Sequence, residues 1–190
     1  FKDSLPIDGV FFDFEMYHAQ DQTGSYTDHM DFSDSAWKTY CVYTKDSAAD
    51  HVNNVKNRLA YLQHHKKFKH YFAVLERASR DIGQMIKKRM RHLVPHLLFA
   101  AYAPTLPSCW FYRGIMAGLS SPSQPLILAT FNTDYQSHIP WLIQHNIHVL
   151  HGTAIMLSKL HTPDNGNVIK TQLMHHDFVW YNRPSRMIYT

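Results

Sequence analysis

The spacing of apolar residues changes along the chain, and each change marks a different kind of element. Residues 7–18 carry Ile7, Val10, Phe11, Phe12 and Phe14 and deliver two acids, Asp13 and Glu15, ahead of Tyr17. A short apolar run of this kind predicts a strand, on which a period of two places Asp13 and Glu15 on one face. Acids are depleted in strands, so the pair stands out. Two carboxylates this close couple their ionisations, and one can then serve as an acid near neutral pH. The plainer reading is a strand end whose acids are simply solvated. A polar stretch, 19–31, follows as a long loop at the strand exit, where sites are commonly built.

Helical spacing then takes over. Ser33-Asp34-Ser35 predicts a helix start, continued by Ala36, Trp37, Tyr40, Cys41 and Tyr43. A second helix is expected from Asp46-Ser47, with Val52, Val55, Leu59 and Leu62 three or four residues apart. The longest stripe is Phe68, Phe72, Leu75, Ile82, Met85, Ile86, Met90 and Leu93, one side of a helix about seven turns long. Gly83 weakens that helix and Pro95 ends it. A stripe like this marks a helix packed on a sheet.

From Pro95 the apolar positions fall into short runs. Strands are expected over 96–102, 125–131, 147–150 and 177–181, with helices over 109–119 and 137–145 and a turn at Asp164-Asn165-Gly166-Asn167. Continuous apolar strands alternating with helices predict a parallel sheet covered on both faces. Polar or aromatic residues gather at the strands' C-terminal ends: Glu15 and Tyr17, Tyr102, Asp134 and Tyr135, His151, then Trp180 and Tyr181. In α/β folds that edge carries the site, so one shared pocket is expected there. The 190 residues fit a single α/β domain, divided into an acidic strand (1–18), a long loop with helices (19–94) and the remaining βα units (95–190).

Composition narrows the picture little. The net charge is +4, with basic residues concentrated between Lys56 and Arg91. Their helical spacing reads as a solvated helix face and argues against a nucleic-acid partner. Fifteen histidines are scattered, and the pairs His64-His65 and His175-His176 point their rings apart. Cys41 and Cys109 match no metal-ligand spacing and read as buried thiols. No apolar run is long enough to span a membrane. The chain begins at Phe1 rather than Met, as a processed, excised or incomplete chain does, so a missing leader carries no information on compartment.

The segment Asp8-Gly9-Val10-Phe11-Phe12-Asp13-Phe14-Glu15 resembles the fourth-strand signature of chitinase-like glycoside hydrolases of family 18. The resemblance implies a TIM-type (β/α)8 barrel, of which this chain looks like the C-terminal half to two-thirds. A complete barrel takes about 250 residues. The other strands would then lie upstream or come from another chain. It further implies a carbohydrate substrate, an oligo- or polysaccharide containing N-acetylhexosamine, and slightly favours an extracytoplasmic location. Glu15 would protonate the glycosidic oxygen, and Asp13 would position the substrate's own acetamido group as nucleophile. Tyr17, Tyr102, Tyr135, His151, Trp180 and Tyr181 would line the sugar pocket, with aromatic rings packed on pyranose faces. No cofactor or metal is called for. Phe11 stands where that family carries its first alternating acid.

Without the acetamido route, Glu15 would remain the acid and Asp134 would act as base or nucleophile. Two other readings use the same residues. In a metal-dependent nuclease, Asp13, Glu15 and Asp134 would hold divalent ions and His151, His161 or His176 would be the base. A non-catalytic carbohydrate-binding or structural protein would use the aromatics alone, a reading that Phe11 in place of an acid favours.

Overall fold

The computed structural model describes residues 7–14, 31–102, 109–130, 133–156, 174 and 177–182, with backbone only at 133–135, 153–156 and 178–182. Strand β1 (Gly9–Asp13) is followed by helices α1 (Asp34–Thr44), α2 (Ser47–Asp50), α3 (Val55–His64) and α4 (Phe68–Leu93). Then come β2 (Leu98–Tyr102), α5 (Trp110–Leu119), β3 (Leu126–Thr130), a 3-10 helix (Thr133–His138), α6 (Ile139–Gln144), β4 (Ile147–Met156) and β5 (Phe178–Asn182).

All five strands are parallel and lie in chain order, β1-β2-β3-β4-β5. This overturns the expected (β/α)8 barrel: among the described residues the sheet is open. Among the described residues β1 pairs only with β2, and β5 only with β4. Closure needs about eight tilted strands whose last returns to the first. The long β4 also works against it. Ile147–His151 pairs with β3, whereas Gly152–Met156 extends beyond β3 and pairs with β5. Alternating strands and helices satisfy an open sheet as readily as a barrel, so the pattern does not record closure.

Chain-order pairing also corrects the expectation of two covered faces. Crossovers between parallel strands are right-handed. When the order never reverses, that handedness carries every helix to the same side. Val10, Phe12, Phe99, Ala101, Leu126, Leu128, Ile147 and Val149 face those helices and pack with Tyr112, Ile115, Met116 and Leu119 of α5 and Leu142 of α6. The opposite face presents Phe11 at 44% exposure, Leu98 at 50% and Leu150 at 39%, with no described helix over it.

A second core lies beyond α4. Trp37, Tyr40 and Cys41 of α1, Ala49 of α2, Leu62 of α3 and Tyr71, Val74 and Leu75 of α4 form it with Phe32. The single helix expected from Asp46 is in fact two, because two side chains cap separate starts. Asp46 accepts from Ala49 N at the start of α2, and Asn54 from Asn57 N at the start of α3. Arg58, 5% exposed, ties the bundle to its entry segment. It donates to the Phe32 carbonyl at 2.8 Å and to Asp34 Oδ1 at 2.5 Å. Both cysteines are free and buried, and burial pushes the Cys41 thiol up to about 12.

Helix α4 serves both cores, and its buried face differs from the expected stripe. Tyr71, Leu75, Ala78, Ser79 and Gly83 are buried, whereas Ile82, Met85 and Leu93 are exposed. The reason is α5. Gly83 is a contact point where the α4 and α5 backbones meet, together with Gly114 and Gly118. A Cβ on Gly118 would overlap the Arg80 carbonyl oxygen, one on Gly114 the Glu76 carbonyl oxygen, and one on Gly83 would lie 2.6 Å from the Ile115 oxygen.

Overpacking a close contact costs about 1–3 kcal/mol. Gly118→Ala is expected to reach at least the upper part of that range, read as a lower urea midpoint. Gly9→Ala, whose Cβ would stand 3.1 Å from the Leu98 oxygen, should lose much less. Equal losses would show that the two helices are free to separate.

Asp46 generates a pH prediction. A hydrogen bond from the Lys67 ammonium (2.7 Å), helped by Tyr61 Oη (2.8 Å) and working against burial, holds its carboxyl below the usual aspartate value. A group depressed on folding stabilises above its unfolded value, about 4, and that contribution disappears as pH falls through the lower folded value. Urea midpoints should therefore fall below pH 4 in the wild type. Asp46→Asn should be less stable at pH 7 by about 1 kcal/mol and lose less on acidification. Parallel acid limbs in the two proteins would refute this.

Candidate functional site

The C-terminal edge of the sheet is built from strand register. Asp13 pairs with Tyr102, Tyr102 with Ala129, and Ala129 with Leu150, a single row across four strands. Side chains alternate between faces, so Asp13 and Phe11 lie on the open face, with Tyr102 beside Asp13. Neighbouring strands stand about 4.8 Å apart, which makes the aspartate and the tyrosine direct neighbours. Asp13 is exposed and Tyr102 half-buried.

The strand exit is held firmly. Phe14 N donates to the Tyr102 carbonyl at 3.0 Å, and the Phe14 carbonyl accepts from Tyr112 Oη at 2.7 Å. The Phe14 ring stacks on Phe12 (5.8 Å), meets Phe111 edge-on (6.4 Å) and tilts against Tyr112 (5.9 Å). The backbone immediately before Glu15 is thus fixed by a strand bond, a buried hydroxyl and three rings. Tyr112 was not marked out by the sequence as part of the edge. Its signal was only a tyrosine in an apolar helix, whose hydroxyl needs a partner when buried.

The other expected residues divide. His151 lies in register with Thr130, on the helix-facing side of the sheet rather than beside Asp13. Its backbone is clamped by Asp177: His151 N donates to Asp177 Oδ2 at 2.7 Å, and Asp177 N to the His151 carbonyl at 2.8 Å. That clamp, too, was missed by sequence reasoning, which took Asp177 only as a strand start. Trp180 and Tyr181 pair with Ala154 and Ile155. Ala154 is four residues past Leu150, so the backbone of Trp180 lies about 13 Å further along the strand direction than the Asp13 row. Asp134 and Tyr135 sit in the 3-10 helix that follows β3, at the same edge. Glu15, Tyr17, His161 and His176 lie outside the described residues.

Cys109 caps the start of α5 near this edge. Burial raises its pKa against the opposing backbone bonds from Tyr112 and Phe111, which keeps it a thiol at neutral pH. Among the described residues no three His, Cys, Asp or Glu side chains gather as a metal site. No helix among them is long and apolar enough to cross a membrane. What the described edge offers chemically is a carboxylate flanked by aromatic rings on an open surface.

Tyr112→Phe leaves the Phe14 carbonyl without its side-chain donor. The expected cost is about 1 kcal/mol, seen as a lower denaturant midpoint with an unchanged slope. An unaltered midpoint would mean that water replaces the hydroxyl at no loss. Comparison with protein-family models, with curated proteins and with solved structures finds no match to this chain.

Proposed function

We propose that the chain hydrolyses glycosidic bonds at the C-terminal edge of its sheet, acting on an oligo- or polysaccharide that contains N-acetylhexosamine. Glu15 is the general acid and Asp13 its helper. The observation that carries this reading is the placement of Asp13 on the open face between Phe11 and Tyr102. A pyranose packs its C–H face on an aromatic ring while a neighbouring carboxylate reaches its polar groups. Phe14, the residue before Glu15 in the sequence, is anchored by the Tyr112 hydroxyl.

In this mechanism Glu15 gives its proton to the glycosidic oxygen as that bond breaks. Asp13 orients the acetamido group, whose carbonyl oxygen attacks the anomeric carbon. Water then opens the cyclic intermediate, returning a proton to Glu15. Where the sugar lacks an acetamido group, Asp134 takes the second role. The carboxyl separation then decides the outcome, about 5 Å for retention and roughly 6.5–9.5 Å for inversion.

A chromogenic chito-oligosaccharide tests the reading. The wild type should release the leaving group with or without EDTA. Glu15→Gln should lose about 100-fold or more in kcat, the ordinary worth of a positioned acid. Asp13→Asn should lower kcat while leaving the thermal midpoint unchanged. Turnover that survives Glu15→Gln sinks the proposal. Loss of activity in EDTA would also sink it, because the acetamido route with Glu15 as acid uses no metal.

A further inference from the structure

The opposite edge of the sheet holds a cleft of about 350 Å³ between α4 and the ends of α5 and α6. Arg80, Gln84 and Lys87 enter it from α4, Ser121 from the turn after α5, and His145 and Asn146 from the end of α6. Positions 80, 84 and 87 follow the four-and-three spacing that keeps residues on one helix face. The lining contains the basic side chains of Arg80 and Lys87 and no acid. We propose that this cleft binds a tetrahedral oxyanion, the phosphate of inorganic phosphate or of a phosphomonoester.

Two helices end here, and their carbonyls would ordinarily repel an anion. Several of those groups are already bonded. Lys87 Nζ donates to the Ser120 carbonyl at 2.6 Å, and Ser120 Oγ donates to the Asn146 carbonyl at 2.7 Å. At the end of α6, His145 N donates to the Trp141 and Leu142 carbonyls and Asn146 N to that of Ile143. Each helix end contributes a charge of about −0.5 at most, less for the six-residue α6. Arg80 and Lys87 together outweigh the two ends by about one positive charge.

Donors remain in hand after this capping. The Lys87 ammonium has three hydrogens and spends one on Ser120, while the Arg80 guanidinium offers a planar fork of five. Arg80 is exposed, so its side chain swings at little cost. The cationic crowding is felt within the helix: burial, then Arg91 and Arg80, lower the Lys87 pKa. An oxyanion between the two cations relieves that repulsion. About 350 Å³ takes a phosphate together with a small organic group.

Isothermal titration of the intact chain with inorganic phosphate, against sodium chloride at matched ionic strength, tests this. Saturable binding is expected for phosphate only. Arg80→Gln should weaken it at least tenfold, and Gln84→Glu, which puts a carboxylate into the cleft, should abolish it. Both positions are exposed, so thermal midpoints without phosphate should match the wild type. Ribose 5-phosphate separates the sources: tighter binding than phosphate identifies an ester as the ligand, and equal or weaker binding identifies the free ion. No saturable heat with either probe, or unchanged affinity in both variants, overturns the site. The titration needs no glycosidase activity and stands apart from the proposal for the other edge.

Discussion

The contact between α4 and α5 is the constraint on which the rest of the structure depends. Gly83, Gly114 and Gly118 let the two backbones approach closer than any side chain allows. That approach connects two aromatic and aliphatic cores that would otherwise be separate. The first half of α4 gives Tyr71, Val74 and Leu75 to the helical core, and its second half sets Ile86 and Met90 against the sheet core. Helix α5 divides in the same way, with Trp110 on one core and Phe111 and Tyr112 on the other. Because α5 is pinned at its glycines, the Tyr112 hydroxyl arrives at the Phe14 carbonyl. The geometry at the end of β1 is therefore set by a packing contact on the far side of α5.

Strand order is the second constraint. A sheet wound in one direction gathers its helices on one side, and its other side is left to the side chains that happen to point there. Most of those are apolar: Phe11, Leu98, Ala100, Ile127 and Leu150, with His148 beside Ile127 and Asp13 beside Tyr102. In a barrel such residues would fill an interior. In an open sheet they form an uncovered face, and among the described residues Asp13 puts an acid on it at the exit of β1. An uncovered face with aromatic rings and a carboxylate suits an extended ligand lying across strands better than a small one enclosed on all sides.

Much of this fold was legible residue by residue, and the failures have physical causes. Ser33 as a cap, Pro95 as a stop and the strands near 98, 126 and 147 follow from local chemistry, which acts within a few residues. Closure, facing and helix rotation are not local. The α4 stripe pointed to Ile82, Met85 and Leu93, but glycine proved the stronger contact because backbones touch where side chains are absent. The site fared similarly. Asp13 and Tyr102 converge because both end their strands in one row. His151 ends its strand one residue later than Leu150, and a shift of one residue carries a side chain to the other face. Trp180 was misplaced by a different quantity, the five-residue extension of β4 that decides where β5 begins to pair.

The two edges of the sheet also differ in charge, and the difference follows from helix polarity. Helices that return antiparallel to the strands start at the sheet's C-terminal edge and end at its N-terminal edge. The partial negative charge at the ends of α5 and α6 therefore lies beside Arg80, Lys87 and His145. These cations sit where the backbone dipoles favour them. The basic run on α4 looked like a solvated face, since charge spacing alone does not say which cations turn inward. Lys87 does turn inward, onto the carbonyl of Ser120, and it is this capping bond that draws the cationic stripe over the end of α5. A cap needs only one cation. Arg80, two turns earlier on the same face, is additional to it, and its charge is what distinguishes a binding cleft from an ordinary helix terminus.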